Sequence, residues 1–390
     1  MDEILNQNVT EMAGVSFDCS CGRQHSVNID RIVIGNDIIA EIGVIASIFK
    51  HGTVFVMADN NTYRLYAEEL EKYLCSRGIS IKTCILNGEG RLVPDEKALG
   101  TIMLDLEDDT SYIIAVGSGT INDLARFISH KLHIPYMVAA TAPSMDGYAS
   151  TVSPLIAGGF KKTFEAVYPY TIAAEMRIIQ SAPMEMIQAG FGDIMGKFTA
   201  LADWQLAREI KGEYYCKTCE TLVRRALNKC VESACGVMKR GEGSVYNILE
   251  ALLLSGIAMG LVGNSRPASG AEHHLAHYWE MDALSKGTHH PLHGNAVGVA
   301  AVVVSKLYGM MQERLPVGID MPKAEKITEL LGNTGACCSP AELGIKRELF
   351  ERSLLEAMKI RPRYTIFHLA AEAGQLESCA HRLTLEFYRE

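Results

Sequence analysis

Apolar and polar residues follow one rhythm in the first half of the chain and another in the second. Short β-branched runs occur at residues 32–35 (IVIG) and 53–58 (TVFVMA), and residues 79–86 are strand-like as well. Between residues 62 and 77 the apolar positions Tyr63, Leu65, Tyr66, Leu70, Tyr73 and Leu74 recur at helical spacing, and residues 95–106 repeat that pattern. A buried strand is predicted at residues 111–117 (SYIIAVG), then a Gly-Ser-Gly turn, a helix over 121–132 and an apolar strand at 135–140. Strands alternating with helices predict a doubly wound, Rossmann-like parallel sheet that binds ligands at the carboxyl ends of its strands. From about residue 183 the rhythm is helical throughout, in amphipathic segments at 184–210, 219–239, 245–262, 271–284 and 296–311. The fold expected is an α/β domain over residues 1–181 followed by an all-helical domain over 182–390, with a site in the cleft between them.

Length and composition agree with two domains: 390 residues exceed one ordinary core, and 48% are hydrophobic against 21% charged. The formal net charge of −9 argues against a nucleic-acid footprint, which needs a basic face. No uninterrupted apolar run reaches the length of a membrane span. The opening MDEILNQNVTEM is acidic and polar, unlike a secretory signal, so a cytoplasmic location is expected. Eleven scattered cysteines do not read as a disulfide framework. Cys19 and Cys21 with His25, or Cys216 and Cys219, could each start a zinc site. Neither pair has a well-spaced second pair nearby in sequence, so reduced, partly buried thiols are the first expectation.

Chemistry concentrates in three places. Gly117, Ser118, Gly119, Thr120, Ile121, Asn122 and Asp123 (GSGTIND) follow a hydrophobic strand and open a helix whose free amides suit a pyrophosphate. Asn122 departs from the G-x-G-x-x-G fingerprint, so a plain strand-to-helix turn is an equal reading. The loop TAPSMDGYAS follows the next strand; its single charge, Asp146, either caps a helix or holds a substrate hydroxyl. Asp59, at the end of TVFVMAD, is placed like a carboxylate that reads an adenosine ribose, which favours NAD over NADP. The third place holds six of the twelve histidines within residues 273–293. His273 and His277 share a helix face, whereas His274 points elsewhere. His293 precedes Gly294, where a tight turn could bring it back beside them. With Asp193 of GFGDIMGK they offer two imidazoles and a carboxylate, a usual catalytic metal set.

GSGTIND, TAPSMDGYAS, GFGDIMGK, SRPASGAEHHLAHYWE and PLHGNAVGVA, in this order, resemble the glycerol-1-phosphate dehydrogenases. These belong to the superfamily of iron-containing alcohol dehydrogenase, glycerol dehydrogenase and dehydroquinate synthase. The resemblance implies Asp193, His273 and His293 as ligands of zinc or nickel, and Asp146, Asp193 and His277 as substrate contacts. It implies NAD(H) or NADP(H) at GSGTIND, at Thr141, Ala142, Pro143 and Ser144, at Ser150 and at Asp59. The reaction implied is reversible reduction of dihydroxyacetone phosphate to sn-glycerol 1-phosphate, in a homodimer with no nucleic-acid or membrane partner. Arg266, Lys161, Lys162 and His290 are phosphate candidates by nearness to the motifs. Glycerol dehydrogenase, dehydroquinate synthase and a non-catalytic metal-binding scaffold are the competing readings.

Overall fold

The computed structural model describes residues 3–87 and 92–388. Its strands are β1 Ser16–Asp18, β2 Gln24–Ser26, β3 Arg31–Gly35, β4 Thr53–Asp59, β5 Ile81–Leu86, β6 Thr110–Gly117, β7 Tyr136–Ala140, β8 Val152–Ala157, β9 Phe160–Glu165 and β10 Thr171–Glu175. Six of these form one parallel sheet in the order β3-β10-β7-β6-β4-β5. Alternate residues enter opposite layers, as the strand period of two requires. Val54, Val56, Ile114 and Val116 face one layer, while Phe55, Met57, Ile113 and Ala115 face the other. Helices α1 Ile39–Ile48, α2 Asn60–Thr62, α3 Glu68–Ser76, α4 Glu96–Asp105 and α5 Gly119–Leu132 connect the strands. The chain leaves β4 for β5 and returns on the other side of β4 as β6, so the strand order reverses between β4 and β6. Asp59 and Gly117 end these two neighbouring strands, at the crevice where open α/β sheets take ligands.

After β10 come α6 Met176–Ser181, α7 Met184–Met195, α8 Lys197–Lys211, α9 Lys217–Val237, α10 Glu242–Val262, α11 Ala271–Ser285 and α12 His293–Met310, then α13 Ala324–Asn333, α14 Arg347–Glu356, α15 Ile366–Glu372 and α16 Leu376–Phe387. The expected helix over 184–210 is two helices that meet at Gly196, where a Cβ would lie 2.5 Å from Val297 Cγ1. His293 is not carried by a tight turn; it is the first residue of α12. Helix α10 is long and apolar enough to span a bilayer by length and composition, although polar Asn247, Glu250 and Ser255 interrupt its apolar run. Its most apolar window is 78% buried inside the protein, and Glu250 within it pairs with Lys229. It is a core helix that packs on α7 and α9.

Four features differ from the expected order of elements. The β8–β9 hairpin, with Gly158 and Gly159 at positive φ in its turn, reaches α11. Alternation on both sides of a Gly-Gly pair was a usable signal for it. Helix α1 and strand β10 were also missed. The segment ahead of β3 leaves the sheet and packs on α9 and α10, where Arg225 donates to Leu5 O at 2.6 Å and Gln7 O at 3.0 Å.

The crossing of α7 and α12 is unusually close because glycines face each other. A Cβ at Gly294 would lie 1.8 Å from Ala189 O, and one at Gly192 would lie 2.4 Å from Gly294 O. Gly294→Ala is therefore expected to force the two helices apart and to cost roughly 3 kcal/mol or more. Thermal unfolding should show a clear fall in Tm; an unchanged Tm would mean that the crossing tolerates a wider separation.

Candidate active site

Asp193, His273 and His293 each come from a different helix and meet at the cleft between sheet and helices. Asp193 lies in the last turn of α7, fully buried. His273 is in the first turn of α11 and His293 opens α12. One ligand atom from each of the three lies within 4.8 Å of the other two. The His273 and His293 ring centroids are 5.2 Å apart. His273 Nδ1 is 2.8 Å from Glu272 Oε1, so Nδ1–H donates to the carboxylate and Nε2 keeps its lone pair, 3.7 Å from Asp193 Oδ1. Glu272 is held in turn by Thr199 Oγ1 at 2.6 Å and by the Gly270 amide at 2.7 Å. A carboxylate that fixes the tautomer of a ligating histidine is the usual outer support of a metal site. Burial, followed by the Lys197 charge, pushes His273 well below its ordinary value. Burial, followed by Lys161, pushes His293 down to about 4. Both rings are neutral at pH 7 and able to ligate. This donor set fits a divalent ion.

Lys197, which the sequence reading passed over, ties this centre to the substrate loop. Its Nζ, fully buried, lies 2.7 Å from both Asp193 Oδ1 and Asp146 Oδ2, and 3.2 Å from Ala268 O. Burial alone would lower its pKa, but the two carboxylates outweigh burial and hold the ammonium above its ordinary value. Asp146 also accepts from Ser255 Oγ at 3.0 Å, while its amide donates to Asp193 Oδ2 at 3.1 Å. Asp146 precedes a single turn at Gly147–Ala149 but makes no side-chain cap there. Two carboxylates against one ammonium leave a net charge that attracts a cation. The signal for Lys197 was its position one helical turn after Asp193, on the same face.

His277 lies between the metal candidates and the cleft. Its ring centroid is 5.1 Å from that of His293, and its Nδ1 is 3.5 Å from Glu280 Oε2. Arg361 Nη2 stands 3.4 Å from His277 Nε2. Burial, only partly offset by Glu280, pushes the ring well below its ordinary value, so it too is neutral. Glu280 is paired with Lys161 at 2.7 Å.

The cleft has a volume of about 1660 Å³. Asp59, Ser118, Gly119, Thr120, Ile121, Asp123, Thr141, Ala142, Ser144 and Ser150 line it, as do Asp146, His273, His277 and His293. Three residues expected at the cofactor do not line it. Gly117 lies beneath the Ile121 side chain, Asn122 is wholly buried, and the carbonyl of Pro143 packs against Gly190. Asn122 Nδ2 donates to Gly147 O at 3.4 Å, and Asp123 takes Arg126 Nη1 at 3.0 Å. Arg126 is buried and also donates to the carbonyls of Gly147, Tyr148 and Val152, so α5 and the loop after β7 are fastened together. Asp59 caps α2: its Oδ1 accepts from the Asn61 and Thr62 amides at 2.8 Å each.

Two of the phosphate candidates are committed elsewhere. Arg266 forms a two-pronged pair with Glu213 and donates to Tyr364 O at 2.9 Å, and Lys161 is held by Glu280. Lys162 is exposed on β9 and does not line the cleft; His290 does line it. Two arginines that were not foreseen also line the cleft. Arg361 and Arg363 are half-buried, and among the described residues neither makes an ion pair with a carboxylate. Burial lowers both, and the neighbouring Arg361 helps bring Arg363 down to about 10. Two partly desolvated like charges that repel each other are costly without a counter-ion.

Comparison with known proteins agrees with this geometry. Residues 33–183 match the family model described as iron-containing alcohol dehydrogenase. A glycerol-1-phosphate dehydrogenase [NAD(P)+] of Geobacillus stearothermophilus is 34% identical, over 94% of this chain and 99% of that one. The chain belongs to the glycerol-1-phosphate dehydrogenase family. Among solved structures, glycerol dehydrogenase from Schizosaccharomyces pombe shares the fold, with a TM-score of 0.68 at 18% identity over 91% of this chain and 90% of that one. Maleylacetate reductase from Agrobacterium tumefaciens does so with a TM-score of 0.71 at 14% identity, over 92% and 97%. The expected α/β sheet followed by a mostly helical part is therefore the fold of this superfamily.

Lys197→Met should leave two carboxylates facing each other without their cation, a change that costs about 3–5 kcal/mol for a buried pair. The loss of Tm should be larger for metal-free than for metal-loaded protein, because a bound cation offsets the same charges. An equal loss in both states would place the role of Lys197 outside this charge balance.

Proposed function

We propose that this chain is an NAD(P)-dependent sn-glycerol-1-phosphate dehydrogenase that reduces dihydroxyacetone phosphate reversibly, with nickel or zinc held by Asp193, His273 and His293. The observation that carries this reading is the convergence of those three donors beneath a cleft that also holds the α5 N-terminus and two unpaired arginines. A cytoplasmic homodimer acting on a small molecule, with no nucleic-acid or membrane partner, completes the reading. Residues 1–181 form its cofactor half and residues 182–390 its metal and substrate half.

When bound, the ion supplies Lewis-acid polarisation of the ketone and the nicotinamide supplies the hydride. The remaining work belongs to the chain. The free amides at Ser118, Gly119 and Thr120, with the positive end of the α5 dipole, receive the pyrophosphate. Thr141, Ala142, Ser144 and Ser150 line the path toward the metal centre, and Asp59 stands where the ribose would lie, which favours NAD. Asp146, steadied by Lys197 and Ser255, accepts from a substrate hydroxyl. His277 donates its Nδ1 proton to Glu280, so its Nε2 takes the hydroxyl proton during alcohol oxidation and returns it during ketone reduction. Glu280 steadies the charged ring between these steps. Arg361 and Arg363 hold the phosphate dianion, which removes their mutual repulsion.

NADH should be consumed with dihydroxyacetone phosphate and not with dihydroxyacetone. Chelation should abolish turnover, and nickel or zinc should restore it. Asp193→Asn and His273→Ala should lose metal and at least about 10³-fold in rate, whereas His277→Ala keeps metal and loses rate. Metal-loaded protein that binds neither NADH nor NADPH would sink the dehydrogenase reading. Arg361→Met and Arg363→Met should each lower kcat/KM for the phosphorylated substrate by roughly 10–100-fold, the worth of a charge-assisted hydrogen bond. Inorganic phosphate should inhibit the wild type more strongly than these variants; equal inhibition would move the phosphate site elsewhere.

A further inference from the structure

Outside the cleft, the fold brings Cys216 to the Cys19–Cys21 pair and His25, residues that lie far apart in sequence. Cys19 and Cys21 lie in the turn between β1 and β2, His25 is on β2, and Cys216 is the residue before α9. One ligand atom from each of the four lies within 4.8 Å of all the others. Cys19 Sγ and Cys216 Sγ are 3.7 Å apart, Cys21 Sγ and His25 Nε2 are 3.3 Å apart, and Cys216 Sγ and His25 Nε2 are 3.5 Å apart. Tetrahedral zinc, at about 2.3 Å from sulfur and about 2.05 Å from imidazole nitrogen, sets edges of about 3.8 Å between sulfurs and about 3.6 Å between sulfur and nitrogen. The three edges given above lie within about 0.3 Å of those figures, and the other three are within 4.8 Å.

We propose that Cys19, Cys21, His25 and Cys216 form a structural zinc site that fastens the N-terminal hairpin to the start of α9. Three thiolates and one imidazole complete a closed set of four, so no position remains for substrate. None of the four lines the catalytic cleft. Cys19, His25 and Cys216 are buried, which excludes water from the ion. An outer layer is present: Thr218 Oγ1 lies 3.3 Å from Cys19 Sγ, and Tyr214 Oη lies 3.2 Å from Cys21 Sγ. The Arg23 guanidinium covers the Tyr214 ring at 3.4 Å. Strands of three residues each are too short to hold a hairpin by their own ladder, so a cross-link there has a structural task. Binding releases the three thiol protons, and no oxidant or reductant is required. Cys219, buried one turn into α9, is outside the set.

The test uses the full chain loaded with cobalt(II) in place of zinc. Wild-type protein should show intense sulfur-to-cobalt charge-transfer bands with the d–d pattern of a tetrahedral ion. Asp193→Asn, which empties the oxygen- and nitrogen-ligated centre, should keep these bands. Cys216→Ser should lose them, and Cys219→Ser should retain them. Should Cys216→Ser fail to fold, titration of zinc-loaded wild type with a mercurial gives a second measurement. Release of one zinc in step with thiol blocking supports the site. Absence of thiolate bands in metal-saturated wild type, their loss in Asp193→Asn or Cys219→Ser, or a Cys19–Cys216 disulfide in protein purified with zinc present would overturn it.

Discussion

The active site depends on how closely two helices can approach. Asp193 and His293 come from α7 and α12, and their side chains share one point only because glycine backbones touch at the crossing. Gly192 and Gly294 leave no room for a Cβ on either side, and Gly298 continues the contact one turn further, where a Cβ would lie 2.9 Å from Gly192 Cα. Gly190 extends the same device toward the sheet, where its missing Cβ admits the carbonyl of Pro143. The loop that carries Asp146 is thereby pressed against the helix that carries Asp193. Packing of this density transmits small displacements, so substitutions remote from the chemistry can still misplace the ligands.

Charge balance is the second organising constraint. The floor of the cleft carries Asp146, Asp193, Glu272 and Glu280, all largely removed from water. Lys197 answers the first two and Lys161 answers Glu280, while Glu272 relies on neutral donors and on the His273 ring. The three histidines nearest the centre stay uncharged because burial opposes their protonation. By charge, the carboxylate side of the site suits a cation and the arginine side an anion. A phosphorylated ketone presents complementary chemistry to both: oxygen donors at one end and a dianion at the other. Among the described residues Arg361 and Arg363 make no ion pair with a carboxylate, whereas Lys197 and Lys161 do, which makes the two arginines the most informative departure in the site.

Much of this was legible in the chain. Residue period separated sheet from helices, and the change of rhythm near residue 183 follows β10 and α6 closely. The meeting of Asp193, His273 and His293 was expected because histidines cluster in residues 273–293 and because Asp193 sits in a weakly charged segment flanked by glycines. Short elements escaped because three-residue strands have no period to detect. Helix α1 escaped because it is apolar nearly all round. Glu272 and Lys197 lie within four residues of expected ligands and Glu280 lies three after His277, so all three are near expected site residues along their helices. Arg361 and Arg363 had no such signal, since a basic residue in a late loop looks the same whether it faces solvent or a cleft.

Sequence alone determined most of the longer strands and helices, the sheet edge at which ligands are expected, and which imidazoles could act together, because these depend on local period and chemistry. Tertiary structure decided which charges are already matched, which arginines await an anion, and that Cys19, Cys21 and His25 meet Cys216. The reason is distance along the chain: residues two hundred apart share no local pattern, and only the packing of glycine-lined helices and a docked hairpin fixes their separation in space.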